Sequence, residues 1–336
     1  MKKTLLIILP LLLIFGYSQQ PLNIENLVEK DNLYYKLNSG ELYQGFVFSL
    51  YKNGKKREEG NMRDGKREDD WIFYEPNGEL YGIGTYKDGE PWDGNFKIFQ
   101  DYLANYSHFE GKMKKGKSLG LWTYYFSNGQ IYHKRNYWYG TRDGIWTTYY
   151  KNGQIEGIGE YDDNKKIGVW KKYFETGQLQ VEETLNNKIR HGNFILYHEN
   201  GKKKQEVNYK DGKMEGILTV WYENGGKKDE GMFIGDIQHG KWTYWHENGQ
   251  KRLEGLRKNG KQDGVWTLYF ENGQKVREET WKDDKEDGLW TEWHENGQMK
   301  GQGTSKDGKK DGLQTYWYEN GQKKEERTYK DGELVK

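Results

Sequence analysis

The 336-residue chain carries 53 basic and 52 acidic side chains, a net charge of +1, and is 33% hydrophobic yet 16% aromatic. Near-neutrality with finely alternating signs excludes the basic footprint of a nucleic-acid binder and gives no sign of attraction to an anionic membrane. Fourteen Trp and 27 Tyr exclude a disordered chain, and few aliphatics with many rings point to thin β structure in which aromatics cover most of the buried area.

Residues 1–18 stand apart. Lys2 and Lys3 precede a short apolar run from Leu5 to Phe15, and Gly16 and Ser18 place small residues before Gln19. This is the pattern of a cleavable signal peptide, too short to span a membrane, and it predicts export to the periplasm, cell surface or medium. The chain has no cysteine, so neither a lipid-anchored lipoprotein nor a disulfide framework is available. Residues 19–40 read as a lead-in or cap, with helix expected only near Ile24–Glu29.

From Glu41 to Lys336 the chain repeats itself. A turn glycine, preceded by Asn except at Thr176-Gly177, recurs every 24 residues, at Gly129, Gly153, Gly177, Gly201, Gly225, Gly249, Gly273, Gly297 and Gly321, and Gly54 and Gly78 keep the step. Between Gly78 and Gly129 lie two periods plus three residues, so an irregular unit falls near 92–110, and about twelve units result. A second glycine lies nine residues earlier in each unit, as at Gly144, Gly240 and Gly288. Counting from it, position +2 is Trp122, Trp146, Trp170, Phe194, Leu218, Trp242, Trp266, Trp290 and Gln314, and +5 is always Tyr or Trp.

Each unit reads as a β-hairpin. Strand-forming Thr, Trp and Tyr, as in Trp146–Tyr150, lead into Glu-Asn-Gly-Gln, where a two-residue type I′ turn is expected; a return strand such as Ile155–Tyr161 and a second polar turn follow. A lone hairpin of this size cannot bury a face, but stacked neighbours can. The expected fold is therefore all-β: an elongated array of about twelve 24-residue β-hairpin repeats forming a twisted single sheet. Strand parity puts +2, +4 and +6 on one face and +1, +3 and +5 on the other, with rings on both.

Histidine sits beside glutamate at His198–Glu199, His246–Glu247 and His294–Glu295. A zinc helix needs His-Glu-x-x-His on one helical face, whereas these pairs lie at a strand end, where neighbours point apart, and their copies are two repeats distant. Other units place Phe126, Tyr150, Phe174, Tyr222, Phe270 or Tyr318 at the same +6 position, so histidine there is one of several rings. Asp283–Gly288 fails the calcium-loop template because Lys285 occupies a ligand position. The glycine-basic stretch Lys52–Gly60 lacks the spacing of a phosphate cradle. No catalytic residue, metal or cofactor is expected.

The units Asp287–Gly303 and Asp263–Glu279 resemble the bacterial variant of the MORN repeat, common in proteins labelled YwqK-type antitoxins. The resemblance covers about Glu41 to Lys336 and implies serial β-hairpins in an elongated sheet; the Tyr-x-Gly-x-Trp signature of the eukaryotic repeats is not kept. Position +4 varies most (Tyr124, Thr148, Lys172, Leu196, Val220, Tyr244, Leu268, Glu292, Tyr316), which marks a face for recognition. The candidate binding surface is Tyr124, Phe126, Trp146, Tyr150, Trp242, Tyr244 and His246. The expected function is an exported, non-enzymatic repeat protein that binds or scaffolds a protein partner; the alternatives are a glycan-binding module and a toxin-neutralising partner.

Overall fold

In the computed structural model, residues 20–99 and 106–335 are described. Residues 1–18, where a signal peptide is expected, and part of the irregular unit lie outside them. The chain divides into two compact units, one built from the described residues before Leu103 with His108–Trp122 and Trp138–Gly140, the other from Ser107, Thr123–Tyr137 and Thr141 onward.

The first unit opens with Leu22–Asn23, which runs parallel to Gly45–Leu50, and a separate hairpin of Leu27–Lys30 with Leu33–Lys36. The helix expected near Ile24–Glu29 is a single 3-10 turn, Ile24–Asn26, because Leu27 onward joins that hairpin as a strand. The strands Gly45–Leu50, Lys56–Arg63, Lys66–Tyr74, Leu80–Lys87 and Glu90–Phe99 then pair antiparallel in chain order. In the second unit the long strands from Thr141–Tyr149 to Lys323–Lys330 likewise pair antiparallel in chain order, with the two-residue strands Lys213–Met214, Lys261–Gln262 and Lys309–Lys310 paired to the strand before each. The described residues are all-β, as the repeat pattern predicts.

The turns differ from expectation. At the Asn-Gly end only the glycine has positive φ (Gly153 +86°, Gly249 +87°). Gly153 N–H donates to Tyr150 O, and Tyr150 N–H to Gln154 O. This is a three-residue loop, a type I turn closed by a left-handed glycine bulge. Its cause is the asparagine side chain, since Asn152 Oδ1 accepts the Gln154 N–H at 2.9 Å. Both central residues have positive φ at the opposite edge instead, as at Asp163–Asn164 (+43°, +63°) and Asp307–Gly308 (+50°, +84°). There Asp162 pairs directly with Lys165, the two-residue I′ arrangement.

The second marker glycine opens a bulge. Ile158 faces Lys171 while Glu160 faces Ile167, so Gly168, Val169 and Trp170 on the forward strand oppose Gly159 alone, with Gly168 at φ +65°. The +2 ring following the bulge lies flat on the preceding return strand. A Cβ on Gly159, Gly231 or Gly255 would stand 2.1 Å from Trp170, Trp242 or Trp266. Only glycine leaves room for an indole at that distance.

Core and surface divide by face. Trp71, Trp122, Trp242, Trp266 and Trp290 are buried on the +2 face, as are Thr147, Thr243, Thr267 and Thr291 at +3 on the other. The +1 aliphatics Ile145, Val169, Ile217, Val265, Leu289 and Leu313 stay 48–58% exposed. In the second unit the core centres on Phe233, Trp242 and Trp266, with Leu218, Tyr244, Leu253 and Trp281 packed around them.

Candidate binding surface

The +6 ring closes each hairpin at its glycine turn, and where that ring is Tyr or His its polar tip reaches into the next repeat. Tyr150 Oη donates to Tyr173 O and Tyr222 Oη to Trp245 O, both at 2.7 Å. His198, His246 and His294 do the same through Nε2, each 3.1 Å from the carbonyl of Trp221, Tyr269 and Trp317. A carbonyl only accepts, so these imidazoles carry their proton on Nε2. Histidine therefore replaces tyrosine as a ring with a donor at its tip. The glutamate after the +6 ring enters through its backbone: Glu247 O, beside His246, and Glu271 O, beside Phe270, accept from Asn224 and Asn248 at 3.1 and 2.8 Å. Where the repeat carries Tyr or His with asparagine, as at Tyr150, His198, Tyr222, His246 and His294, the two together bolt it to the next.

The predicted residues fall into distinct settings. Phe126 is buried and packs on Tyr132 at 4.6 Å between centroids. Trp242 is buried, and Tyr244 lies stacked on it at 6.1 Å. Trp146 is half-buried between Tyr137 and Tyr161, its indole N–H donating to Asn136 O at 2.9 Å. Burial raises the Tyr124 phenol above its ordinary value, and Tyr137 adds to the rise; the Arg135 guanidinium stands 4.7 Å from its ring. Trp242 and Phe126 thus offer no free ring to a partner. Tyr150 and His246 are half-buried at the hairpin end.

What lies open is a groove between successive +6 rings, found in two places five repeats apart. One, of about 730 Å³, is lined by Phe174, Leu196, His198, Asn200 and Lys204 among others. The other, of about 580 Å³, is lined by the equivalent His294, Tyr316, Tyr318, Asn320 and Lys324. The variable +4 side chain forms the floor in both. A basic row that sequence reasoning missed runs along the return strands: Lys204, Lys300 and Lys324 line the grooves, and Lys228 and Arg252 hold the equivalent position in repeats between them, all exposed. Lys228 Nζ stands 5.6 Å from the Tyr222 ring, Arg252 5.7 Å from Tyr244 and Lys324 5.6 Å from Tyr318. Its signal was present, because each basic residue follows its repeat glycine by three positions.

Among the described residues no group of three His, Asp or Glu side chains could hold a metal ion. The groove offers ring faces, ammonium groups and side-chain amides.

No curated protein matches the chain. Among solved structures it is similar to the crystal structure of TcdB2-TccC3-TEV, with 12% identity over 90% of this chain and 19% of that one and a TM-score of 0.18. A similar match is TcdB2-TccC3-Cdc42, at 9% identity, 91% and 20% coverage and a TM-score of 0.17. The chain thus spans about a fifth of those chains. The model of the MORN repeat variant matches residues 70–88, 119–139, 142–163, 166–187, 190–211, 238–259, 262–283, 286–307 and 310–331. These in-phase matches cover more than half of the sequence, and the chain belongs to the MORN repeat variant family.

Proposed function

We propose that this chain is an exported, non-enzymatic repeat protein that holds a protein partner along the groove of its second unit. The observation that carries this is recurrence: the same open groove, floored by the most variable position of the repeat, stands at Leu196 and again at Tyr316. The frame around it is uniform while the floor changes, which is how a repeat array combines rigidity with selectivity. Export is the reading of the first eighteen residues, and mass spectrometry of the secreted or periplasmic form, starting at Gln19, tests it.

Capture from the native envelope fraction tests the surface. Leu196→Lys with Tyr316→Lys places at both sites a residue that Lys172 already carries at this position. The double variant should lose the captured partner, whereas Val265→Lys, on the opposite face, should retain it. Equal capture by both variants sinks the assignment of the groove. The same half-buried rings could stack on sugars, and a glycan array read with the same two variants separates that reading.

A further inference from the structure

We infer that the array has a built-in seam between Phe174 and His198, where successive hairpin ends part, and that the groove at Leu196 widens there while the groove at Tyr316 stays fixed. This goes beyond the binding reading and holds whatever occupies the groove.

The backbone ladder between repeats stops short of the glycine turns. The return strand Leu179–Asn186 pairs with the next forward strand only as far as Val181 opposite Leu196. Leu253 opposite Leu268 and Arg277 opposite Glu292 end the ladder at the same place in their repeats. The hairpins themselves run further, with Tyr173 paired to Leu179 and Tyr269 to Lys275. Their ends are thus tied to the neighbouring repeat by side chains alone.

Those ties come and go in pairs. At Tyr51, Tyr150, His198, Tyr222, His246 and His294 the ring tip bonds to a carbonyl of the next repeat. The asparagine two residues on bonds to a second carbonyl in every one of these. Phe126, Phe174 and Phe270 have no donor to offer. Beside them Asn128 turns its amide to Gln130 of its own repeat, Thr176 stands in place of asparagine, and Asn272 accepts the Gln274 N–H. Two hydrogen bonds of ordinary net strength shift an opening equilibrium by roughly thirtyfold.

Among these three joints, the one at Phe174 is the weakest. The ladder end beside Phe126 carries His133 bonded to Thr148 at 3.1 Å, and the one beside Phe270 carries Arg277 donating to Glu292 at 3.1 Å. At the equivalent place beside Phe174 stand Val181 and Leu196, which slide apart without breaking a hydrogen bond. The two grooves therefore sit on different joints. One bridges Phe174 and His198 across the seam. The other bridges His294 and Tyr318, a joint held by His294 on Trp317 O at 3.1 Å and Asn296 on Glu319 O at 2.9 Å.

The chain has no cysteine, so introduced cysteines carry spin labels to chosen sites. Lys151, Glu199 and Glu247 are exposed and hold one repeat position, successive members standing two repeats or about 19 Å apart. Lys151→Cys with Glu199→Cys spans the seam, and Glu199→Cys with Glu247→Cys spans two bolted joints. Double electron–electron resonance on the full chain should give a distance distribution roughly twice as wide for the first pair as for the second. Adding Phe174→Tyr and Thr176→Asn supplies both missing bonds and should narrow the first pair to the width of the second. Adding His198→Phe and Asn200→Thr removes a bolt and should broaden the second. Equal widths for the two pairs, or a first pair that stays broad once ring donor and asparagine are restored, overturns the inference. Either result leaves the capture experiment with Leu196→Lys and Tyr316→Lys untouched, so the two readings fail separately.

Discussion

At the residue scale, the glycine under Trp122, Trp170, Trp242 and Trp266 is the most exacting position of its repeat; Trp290 stands across from Glu279 instead. Gly255 has Trp266 lying on its backbone, with 2.1 Å between a would-be Cβ and the ring. Gly255→Ala must push the indole off its place, where its N–H donates to Leu256 O at 3.0 Å. Equilibrium urea unfolding should show a loss of about 2–3 kcal/mol from overpacking; a change below about 0.5 kcal/mol would mean that the ring yields freely. The last repeat supports the logic, since Gln314 replaces tryptophan, is fully buried, and donates to Thr304 O at 2.7 Å as the indole does. His246 is a gentler case. His246→Tyr keeps a ring with a donor and should be neutral, whereas His246→Phe drops the bond to Tyr269 O and should cost about 1 kcal/mol. Phe126, Phe174 and Phe270 show that the site accepts a bare ring. Should both variants unfold alike, the imidazole tip would be doing nothing for stability.

At the element scale, the Thr face is stitched across three strands by charge. Glu254 receives Lys241 Nζ at 2.8 Å, Lys251 Nζ at 2.9 Å and Tyr269 Oη at 2.8 Å. Burial alone would raise this carboxyl, but these donors outweigh it and hold it at about 2. A depressed carboxylate lends stability above its unfolded value near 4.5 and loses it as pH falls toward about 2. His133 works in a higher window. Burial, then Arg135, lowers it to about 4, so the unfolded chain takes its proton first and stability drains as pH falls from about 6.5 to about 4. Urea midpoints measured from pH 7 to 2 should fall in two stages. Burial lowers His108 to about 4 as well, so His133→Gln should shrink the upper stage without abolishing it and Glu254→Gln should shrink the lower, and a variant that leaves its own stage unchanged refutes that assignment. Much of this scale was readable from the 24-residue step: the hairpins and the face of each ring. The turn types were not. Asn-Gly suits either loop, and the choice lies in Asn152 capturing the Gln154 N–H, a side-chain contact that composition does not reveal. The basic row went unread because a lysine on an exposed strand position looks the same whether it is solvated or borders a groove.

At the scale of the whole molecule, the phase of the repeat matters more than its number. If each unit touches only its neighbours, removing one full period should leave every remaining unit with an equivalent partner. Deleting Lys251–Gln274 joins Gln250 to Lys275 and sets Trp242 opposite Glu279, a pairing that Trp266 already makes. His246 would then find Trp293 O where it now has Tyr269 O, and Asn248 would find Glu295 O in place of Glu271 O. Circular dichroism should keep its β signature, and unfolding should stay cooperative with a slightly smaller urea slope, in proportion to the lost area. Deleting only Lys251–Gln262 removes half as much chain yet should do far more harm. It joins one forward strand to the next, takes away the glycine beneath Trp266 and leaves Trp242 without Gly255 across the ladder. That variant should lose the cooperative transition and the native tryptophan fluorescence. If the half-period deletion instead unfolds like the full-period one, the 24-residue hairpin is not the folding unit, and the groove it frames loses its basis.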